Sequence, residues 1–144
     1  MIGMRLVETA IDPAALIRAV SAKDKGAVSL FLGTVREMND GRAVASLRYS
    51  AYSSMAEAEL VRIAEEMKDQ FGVTTAVIEH RVGHLDIGDI AIGIAVAHEH
   101  RAPAIASVAY AMDEIKRRVP IWKEEEYADG TKEWVDPTAA GAAR

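Results

Sequence analysis

Residues 90–100 read IAIGIAVAHEH, and this stretch constrains the fold more than any other part of the chain. Large apolar side chains alternate strictly through it, at Ile90, Ile92, Ile94 and Val96. Because side chains along an extended strand repeat with a period of two, the pattern predicts a β-strand and not a helix. A strand needs neighbours to complete its backbone hydrogen bonds, so the rest of the chain must supply a sheet.

Three other segments carry helical signals. The first, over residues 13–22, begins after an Asp-Pro pair that suits an N-cap and the first helical position. The second begins with a capping box formed by Ser54 and Glu57, repeats its apolar residues helically, and ends at Gly72. The third, over residues 103–120, ends at a proline that cannot continue it.

Strand-like runs separate these helices. The run AVSLFLGTV after Gly26 is apolar and rich in β-formers, which predicts a central strand. Asp-Gly pairs at residues 40–41 and 129–130 indicate two hairpin turns, and Trp122 and Trp134 are expected to face each other across the second. The order of elements predicts an α+β fold with a mainly antiparallel sheet, three helices and a C-terminal hairpin.

The composition limits what the chain does. We expect a single domain over residues 1–137, followed by a frayed tail over 138–144. Seventeen Lys and Arg against 22 Asp and Glu give a net charge of −5, which disfavours nucleic acid and anionic membranes as partners of the whole chain. There is no cysteine, which excludes a thiol nucleophile or a persulfide on this chain. With no apolar run of membrane-spanning length and no signal-peptide pattern, a cytoplasmic location is expected.

The stretch KRRVPIWK, residues 116–123, gathers four cations at the end of the third predicted helix. The helix macrodipole favours cations there and explains Arg117 and Arg118. Lys116 differs, because it lies only about 20° from Ile105 around the helix axis and so falls within the expected apolar stripe. Such a lysine either extends its ammonium group out of the last turn or faces a pocket where an anion matches its charge. The expected stripe comprises Ile105, Val108, Ala109, Met112, Ile115 and Val119.

Other cations also stand at the ends of predicted elements, where rigid scaffolds present functional groups. Arg36 follows a strand in GTVRE, and His100 and Arg101 join a strand to a helix in HEHRAP. Lys123 returns beside Lys116 if the chain turns at the intervening proline. Taken singly, each of these has a simpler explanation as a solvated loop residue or a polar junction.

The sequence lacks the common motifs of cofactor sites. Neither GTVRE nor VGHLDIGD matches a glycine-rich phosphate loop. His98 and His100 would share one side of a strand, but no third ligand is evident. We therefore expect neither a metal nor another cofactor.

Together, these segments resemble the large, catalytic subunit of molybdopterin synthase. The similarity runs from FLGTVRE through LRYSAYSSMAEAEL, IEHRVGHLDIGD and AVAHEHRAP to MDEIKRRVPIWKEE and DGTKEWV, in the family's order, and covers most of residues 28–135. The resemblance implies an α/β-hammerhead-like fold. It also implies sulfur transfer to cyclic pyranopterin monophosphate, which forms the dithiolene of molybdopterin.

The same resemblance implies partners and site residues. The sulfur would arrive as a C-terminal Gly-Gly thiocarboxylate on a small ubiquitin-like carrier subunit, and a homodimeric core would form part of a heterotetramer. By motif match, Lys116 and Lys123 are the implied catalytic residues, and some binding residues could come from across the dimer interface. The implied substrate-binding residues are Thr34, Val35, Arg36, His100, Arg101, Lys116, Lys123, Glu124 and Glu125.

A non-enzymatic alternative stays open at this point. The same basic pocket would dock a carrier's C-terminus, or a phosphorylated metabolite, without turnover. Such a module would tolerate Lys116→Arg, whereas a catalytic lysine would not, because a guanidinium does not give up its proton. Nucleic-acid binding is disfavoured by the charge and by the lack of a basic and aromatic face.

Overall fold

The computed structural model describes residues 2–135, which form two sheets and three helices. The helices are α1 (Pro13–Val20), α2 (Ser53–Phe71) and α3 (Arg101–Arg118). The strands are β1 (Ile2–Val7), β2 (Ala27–Thr34), β3 (Met38–Asn39), β4 (Arg42–Ala51), β5 (Thr75–Arg81), β6 (Gly83–Asp86), β7 (Ile90–His98), β8 (Ile121–Tyr127) and β9 (Lys132–Val135). The α+β class, the three helices and the C-terminal hairpin are confirmed. The predicted tail over 138–144 lies outside the described residues.

The first sheet has the strand order β1-β5-β7-β2. Only the pair β1 and β5 is parallel, and β7 pairs antiparallel with both β5 and β2. The strand predicted over residues 90–100 is therefore confirmed and lies inside the sheet. The central position predicted for β2 was wrong, because β2 is an edge strand. Its apolar run indicated burial on both faces, yet Val28 is 43% and Phe31 38% exposed.

The two faces of β7 meet different layers. Ile92, Ile94 and Val96 pack into the main core together with α2 and α3, as period-two alternation requires. The other face carries small residues and packs against α1. A Cβ added at Gly93 would lie 2.5 Å from Cδ1 of Leu16, so a glycine at this position lets α1 approach the sheet closely.

The second sheet contains β3, β4, β8 and β9, with β6 also paired to β4. The hairpin predicted at residues 40–41 joins β3 to β4, and positive φ angles of 50° at Asp40 and 77° at Gly41 suit a type I′ turn. The hairpin predicted at residues 129–130 joins β8 to β9. The predicted contact across it was wrong, because the register sets Trp134 opposite Glu124 while Trp122 packs against Tyr52.

The start of α2 also differs from its prediction. Tyr52 is the N-cap, and no side-chain hydrogen bond caps the helix, so the predicted Ser54–Glu57 capping box does not form. Gly72 ends α2 as predicted, with a φ of 68° and its N–H donated to the carbonyl of Lys68. Within residues 2–135, each helix is too short or too polar to pass through a bilayer.

The buried face of α3 is rotated relative to the predicted stripe. The helix packs against α2, β2 and β7, and this leaves Ile105 62% exposed. Lys116 follows the buried Ile115 by about 100° around the axis, so it flanks the buried face and does not lie in its middle. Arg118, which the sequence analysis explained by the helix macrodipole alone, also contacts α2 through Glu59. The buried residues of α3 are Ala104, Ser107, Val108, Ala111 and Ile115.

Candidate functional site

A cavity of about 350 Å³ opens between the two sheets and the C-terminal half of α3. The end of β2, the strands β4 and β8, and the last turns of α3 all contribute to its wall. Cavities of this size are typical of small-molecule sites. Six of the predicted site residues line it, namely Thr34, Val35, Arg36, Lys116, Lys123 and Glu125.

Glu124 is not among the residues that line the cavity. Side chains alternate along β8, so Lys123 and Glu125 point to one side of the strand and Glu124 to the other. The substrate-binding role predicted for Glu124 is therefore not supported by its position in this chain.

His100 and Arg101 also lie away from the cavity. Both stand at the start of α3, and about 22 Å of helix rise separates Arg101 from Lys116. The backbone N–H of His100 donates to Nδ1 of His98 at 3.0 Å, which makes this segment a polar junction within one chain. Within residues 2–135 we find no group of three side chains arranged to hold a metal ion.

A hydrogen-bonded chain of side chains joins the second sheet to the loop after β2 at the cavity. Nζ of Lys123 lies 3.1 Å from Oε1 of Glu125, and Nδ2 of Asn39 donates to the same oxygen at 2.6 Å. Oδ1 of Asn39 accepts from Nη2 of Arg36 at 3.2 Å. Asn39 thus connects the carboxylate that holds Lys123 to the guanidinium of Arg36.

Asn39 was not predicted as a site residue. It directly precedes the Asp40-Gly41 turn, where an asparagine is ordinarily explained by turn geometry. Its partner Glu125 is 86 positions away in sequence, and only the pairing of β4 with both β3 and β8 brings the two together.

Lys116 is a further cation of the cavity wall. It is exposed, and among residues 2–135 no carboxylate lies within ion-pair distance of its ammonium group. Of the described residues that line the cavity, Arg36, Lys116 and Lys123 are cationic and Glu125 is anionic. The excess of positive charge suits an anionic ligand, although the chain as a whole is acidic.

Part of the cavity wall is uncharged, although it adjoins the charged residues, since Tyr49 on β4 is the register partner of Lys123 on β8. His80 and Tyr49 form this part together with apolar side chains such as Leu47 and Ile92. The rings of His80 and Tyr49 meet edge to face, with centroids 4.9 Å apart. Neither residue was predicted from the sequence, in which His80 reads as a polar position within a strand.

Comparisons with known proteins identify the family of the chain. A family model described as MoaE protein matches residues 6–118. The chain belongs to the MoaE family. A curated relative from Bacillus subtilis, named molybdopterin synthase catalytic subunit, is 39% identical over 130 residues, covering 90% of this chain and 82% of the relative. The chain is accordingly an enzyme of the molybdopterin synthase class, a transferase of molybdenum cofactor biosynthesis.

Two solved structures extend the family assignment to the fold. The molybdopterin synthase of Staphylococcus aureus superposes with a TM-score of 0.86 at 37% identity, covering 91% of this chain and 95% of that one. A complex of subunits 1 and 2 of the molybdopterin-converting factor from Helicobacter pylori superposes with a TM-score of 0.76 at 21% identity, covering 92% and 89%. The second similarity supports the fold alone.

Proposed function

We propose that this chain transfers sulfur from the C-terminal thiocarboxylate of a small ubiquitin-like carrier to cyclic pyranopterin monophosphate, forming the dithiolene of molybdopterin. The observation that carries the proposal is the cavity in which Arg36, Lys116 and Lys123 converge. A phosphate-bearing substrate and an anionic thiocarboxylate both require such a site. The absence of cysteine agrees with a sulfur atom that is supplied by another protein.

The carrier is proposed as a separate subunit. The Helicobacter pylori relative is described as a complex of subunits 1 and 2, which supports a heteromeric assembly for this chain. A Gly-Gly tail has no side chains beyond hydrogen and is therefore narrow enough to enter a cavity that already holds a small molecule. Lys116, exposed and without an ion-pair partner among residues 2–135, is the cation that meets the incoming thiocarboxylate.

The two lysines act together in this mechanism. The thiocarboxylate sulfur bonds to a side-chain carbon of the pterin while a carbon–oxygen bond at that carbon breaks, and the departing oxygen takes up a proton. Water then hydrolyses the bond between that sulfur and the carrier's acyl carbon. Lys116 and Lys123 stabilise the negative charge that develops and transfer protons. The carrier leaves with a C-terminal carboxylate. Because the dithiolene contains two sulfurs, two carriers act in turn.

His100 and Arg101 enter the site from a second copy of the chain in this proposal. They are too far from Lys116 along α3 to bind the same small molecule in one chain. The exposed edge strand β2 and the exposed Phe31, which also lines the cavity, are an available contact surface beside the site. With Arg36, the partner's cations would hold the substrate phosphate.

A single-turnover assay tests the proposal. The chain is mixed with thiocarboxylated carrier and cyclic pyranopterin monophosphate, and the dithiolene product is followed with time. Formation of one dithiolene for every two carriers consumed supports the synthase mechanism. If the carrier binds and no product forms, the cavity is a docking site without turnover, and the proposal fails.

A further inference from the structure

The uncharged part of the cavity wall presents a defined hydrogen-bond acceptor. His80 lies on β5 and is only 7% exposed. Its Nδ1 is 2.8 Å from the backbone carbonyl of Arg81. Because a carbonyl only accepts hydrogen bonds, Nδ1 must carry the proton, and in the neutral ring Nε2 is then an acceptor.

The side chains of His80 and Tyr49 are both uncharged at neutral pH. Burial lowers the pKa of His80 to about 4, so its imidazole is neutral. Burial, with the nearby Glu125 carboxylate, raises the pKa of Tyr49 to about 12, so its hydroxyl keeps its proton. The edge-to-face contact of the two rings fixes their relative orientation.

Neither group is satisfied within the described chain. Among residues 2–135 nothing hydrogen-bonds to Nε2 of His80 or to the hydroxyl of Tyr49, although both residues line the cavity. Both atoms are accessible from the cavity, so a ligand that displaces solvent there must offer them complementary polar atoms or leave them unpaired at a cost.

We infer that His80 and Tyr49 recognise the uncharged heterocycle of the substrate, with Nε2 of His80 accepting a ring N–H and the Tyr49 hydroxyl pairing with a second polar ring atom. This inference rests on the proposed function, which it deepens by assigning separate roles to the charged and uncharged residues of the cavity wall. Arg36, Lys116 and Lys123 bind the anionic groups, and His80 and Tyr49 bind the ring. A flat heterocycle with amide and amino groups carries the donors and acceptors that such a wall selects, and an analogue without them would leave His80 unpaired.

The carrier's tail is the less suitable occupant of this wall. The tail enters from the surface, and its thiocarboxylate is an anion that the cations attract. The groups of His80 and Tyr49 are uncharged and lie in a part of the cavity that Leu47 and Ile92 make apolar. A rigid ring binds beside His80 and Tyr49 at a lower entropic cost than a flexible peptide does.

Calorimetric titration with two probes separates the roles of the charged and uncharged residues. In the proposal, cyclic pyranopterin monophosphate contacts both sets of residues, whereas inorganic phosphate contacts only the cations. His80→Asn retains a donor near the position of Nδ1 and removes the acceptor at Nε2, and His80→Gln returns a polar atom near Nε2. Tyr49→Phe removes only a hydroxyl, and His84→Asn changes a histidine whose side chain is 52% exposed and outside the cavity.

We expect His80→Asn and Tyr49→Phe each to weaken binding of the pterin phosphate roughly five- to tenfold, the usual effect of one lost neutral hydrogen bond. Binding of inorganic phosphate and of the carrier should stay unchanged, His80→Gln should recover part of the loss, and His84→Asn should match the wild type. Equal affinity of the wild type and both variants for the pterin phosphate would overturn the inference and leave the proposed function intact. If the variants bind the carrier more weakly and the pterin phosphate as well as the wild type does, His80 and Tyr49 contact the carrier's tail, and the inference is overturned as well. If the wild type does not bind the pterin phosphate at all, the proposed function itself fails.

Discussion

Nζ of Lys123 lies 3.1 Å from Oε1 of Glu125, and the side chain of that glutamate is only 1% exposed. The two residues are neighbours on the same side of β8, so the strand itself sets their spacing. Asn39 adds a second hydrogen bond to the same oxygen. The position of one implied catalytic lysine is therefore determined by a buried carboxylate.

Glu125→Gln should lower the single-turnover rate of sulfur transfer by about tenfold or more, because Lys123 loses the charge that orients it. The amide keeps the shape of the side chain, so thermal unfolding should change little. Glu124→Gln is the matched control, since Glu124 stands on the outward side of β8. Equal rates for the two variants would show that the ion pair does not position the catalytic group.

Lys116→Ala should abolish product formation while the protein stays folded, because the residue is exposed and packs little. Lys116→Arg retains the positive charge but cannot donate its proton, and it should lose activity by a factor of about 10² or more. The measurement is the single-turnover rate, with carrier affinity determined in parallel. Activity of Lys116→Arg near the wild type would favour a docking role for the lysine.

Mixing Arg101→Ala with Lys116→Ala should restore activity that neither variant has alone. If each site combines Lys116 of one copy with Arg101 of another, random exchange of subunits restores roughly a quarter of the wild-type activity. The measurement is product formation after unfolding and refolding the mixture together. A mixture as inactive as its components would place both residues in one chain's site or remove Arg101 from it.

Arg118→Met should destabilise the protein by about 1 to 2 kcal/mol at pH 7, because Arg118 joins α3 to α2 through Glu59 and Glu66 and also binds Glu114. Urea unfolding measures this difference. Arg117→Met is the matched control, since Arg117 is 64% exposed and its one ion-pair partner within residues 2–135 is Glu114, and it should cost less than about 0.5 kcal/mol.

The effect of Arg118→Met should also depend on pH. The hydrogen bond from Arg118, followed by that from Tyr110, lowers the pKa of Glu66, and Arg117 and Arg118 lower that of Glu114, in both cases below the ordinary 4.5. Groups with depressed pKa values stabilise the fold above their unfolded pKa and lose this contribution as pH falls through the folded value. The difference between wild type and variant should therefore shrink below pH 4.5. A difference that is independent of pH would contradict an electrostatic origin.

Gly93→Ala should destabilise the protein by about 1 to 3 kcal/mol, because the new methyl group would overlap Leu16 on α1. The cost should be smaller in a Leu16→Ala background, where the space is open, and a double-mutant cycle measured by urea unfolding tests this coupling. Additive effects of the two substitutions would show that α1 accommodates the methyl group by moving.

The local elements were largely predictable from the sequence alone. Strict alternation over residues 90–100 predicted β7, two Asp-Gly pairs predicted both hairpins, and Gly72 predicted the end of α2. Each of these signals is contained in one short segment of the sequence. Each therefore depends only on local backbone geometry and side-chain periodicity. The motif match likewise predicted six of the residues that line the cavity.

The tertiary structure alone decided which residues meet. Asn39 reaches Glu125 only because separate strands pair with β4, and His80 and Tyr49 share a wall only because the two sheets pack together. The edge position of β2 and the rotated buried face of α3 also depend on which neighbours pack against them. Local patterns report a segment's own periodicity, whereas the site is built from contacts between segments that are distant in sequence.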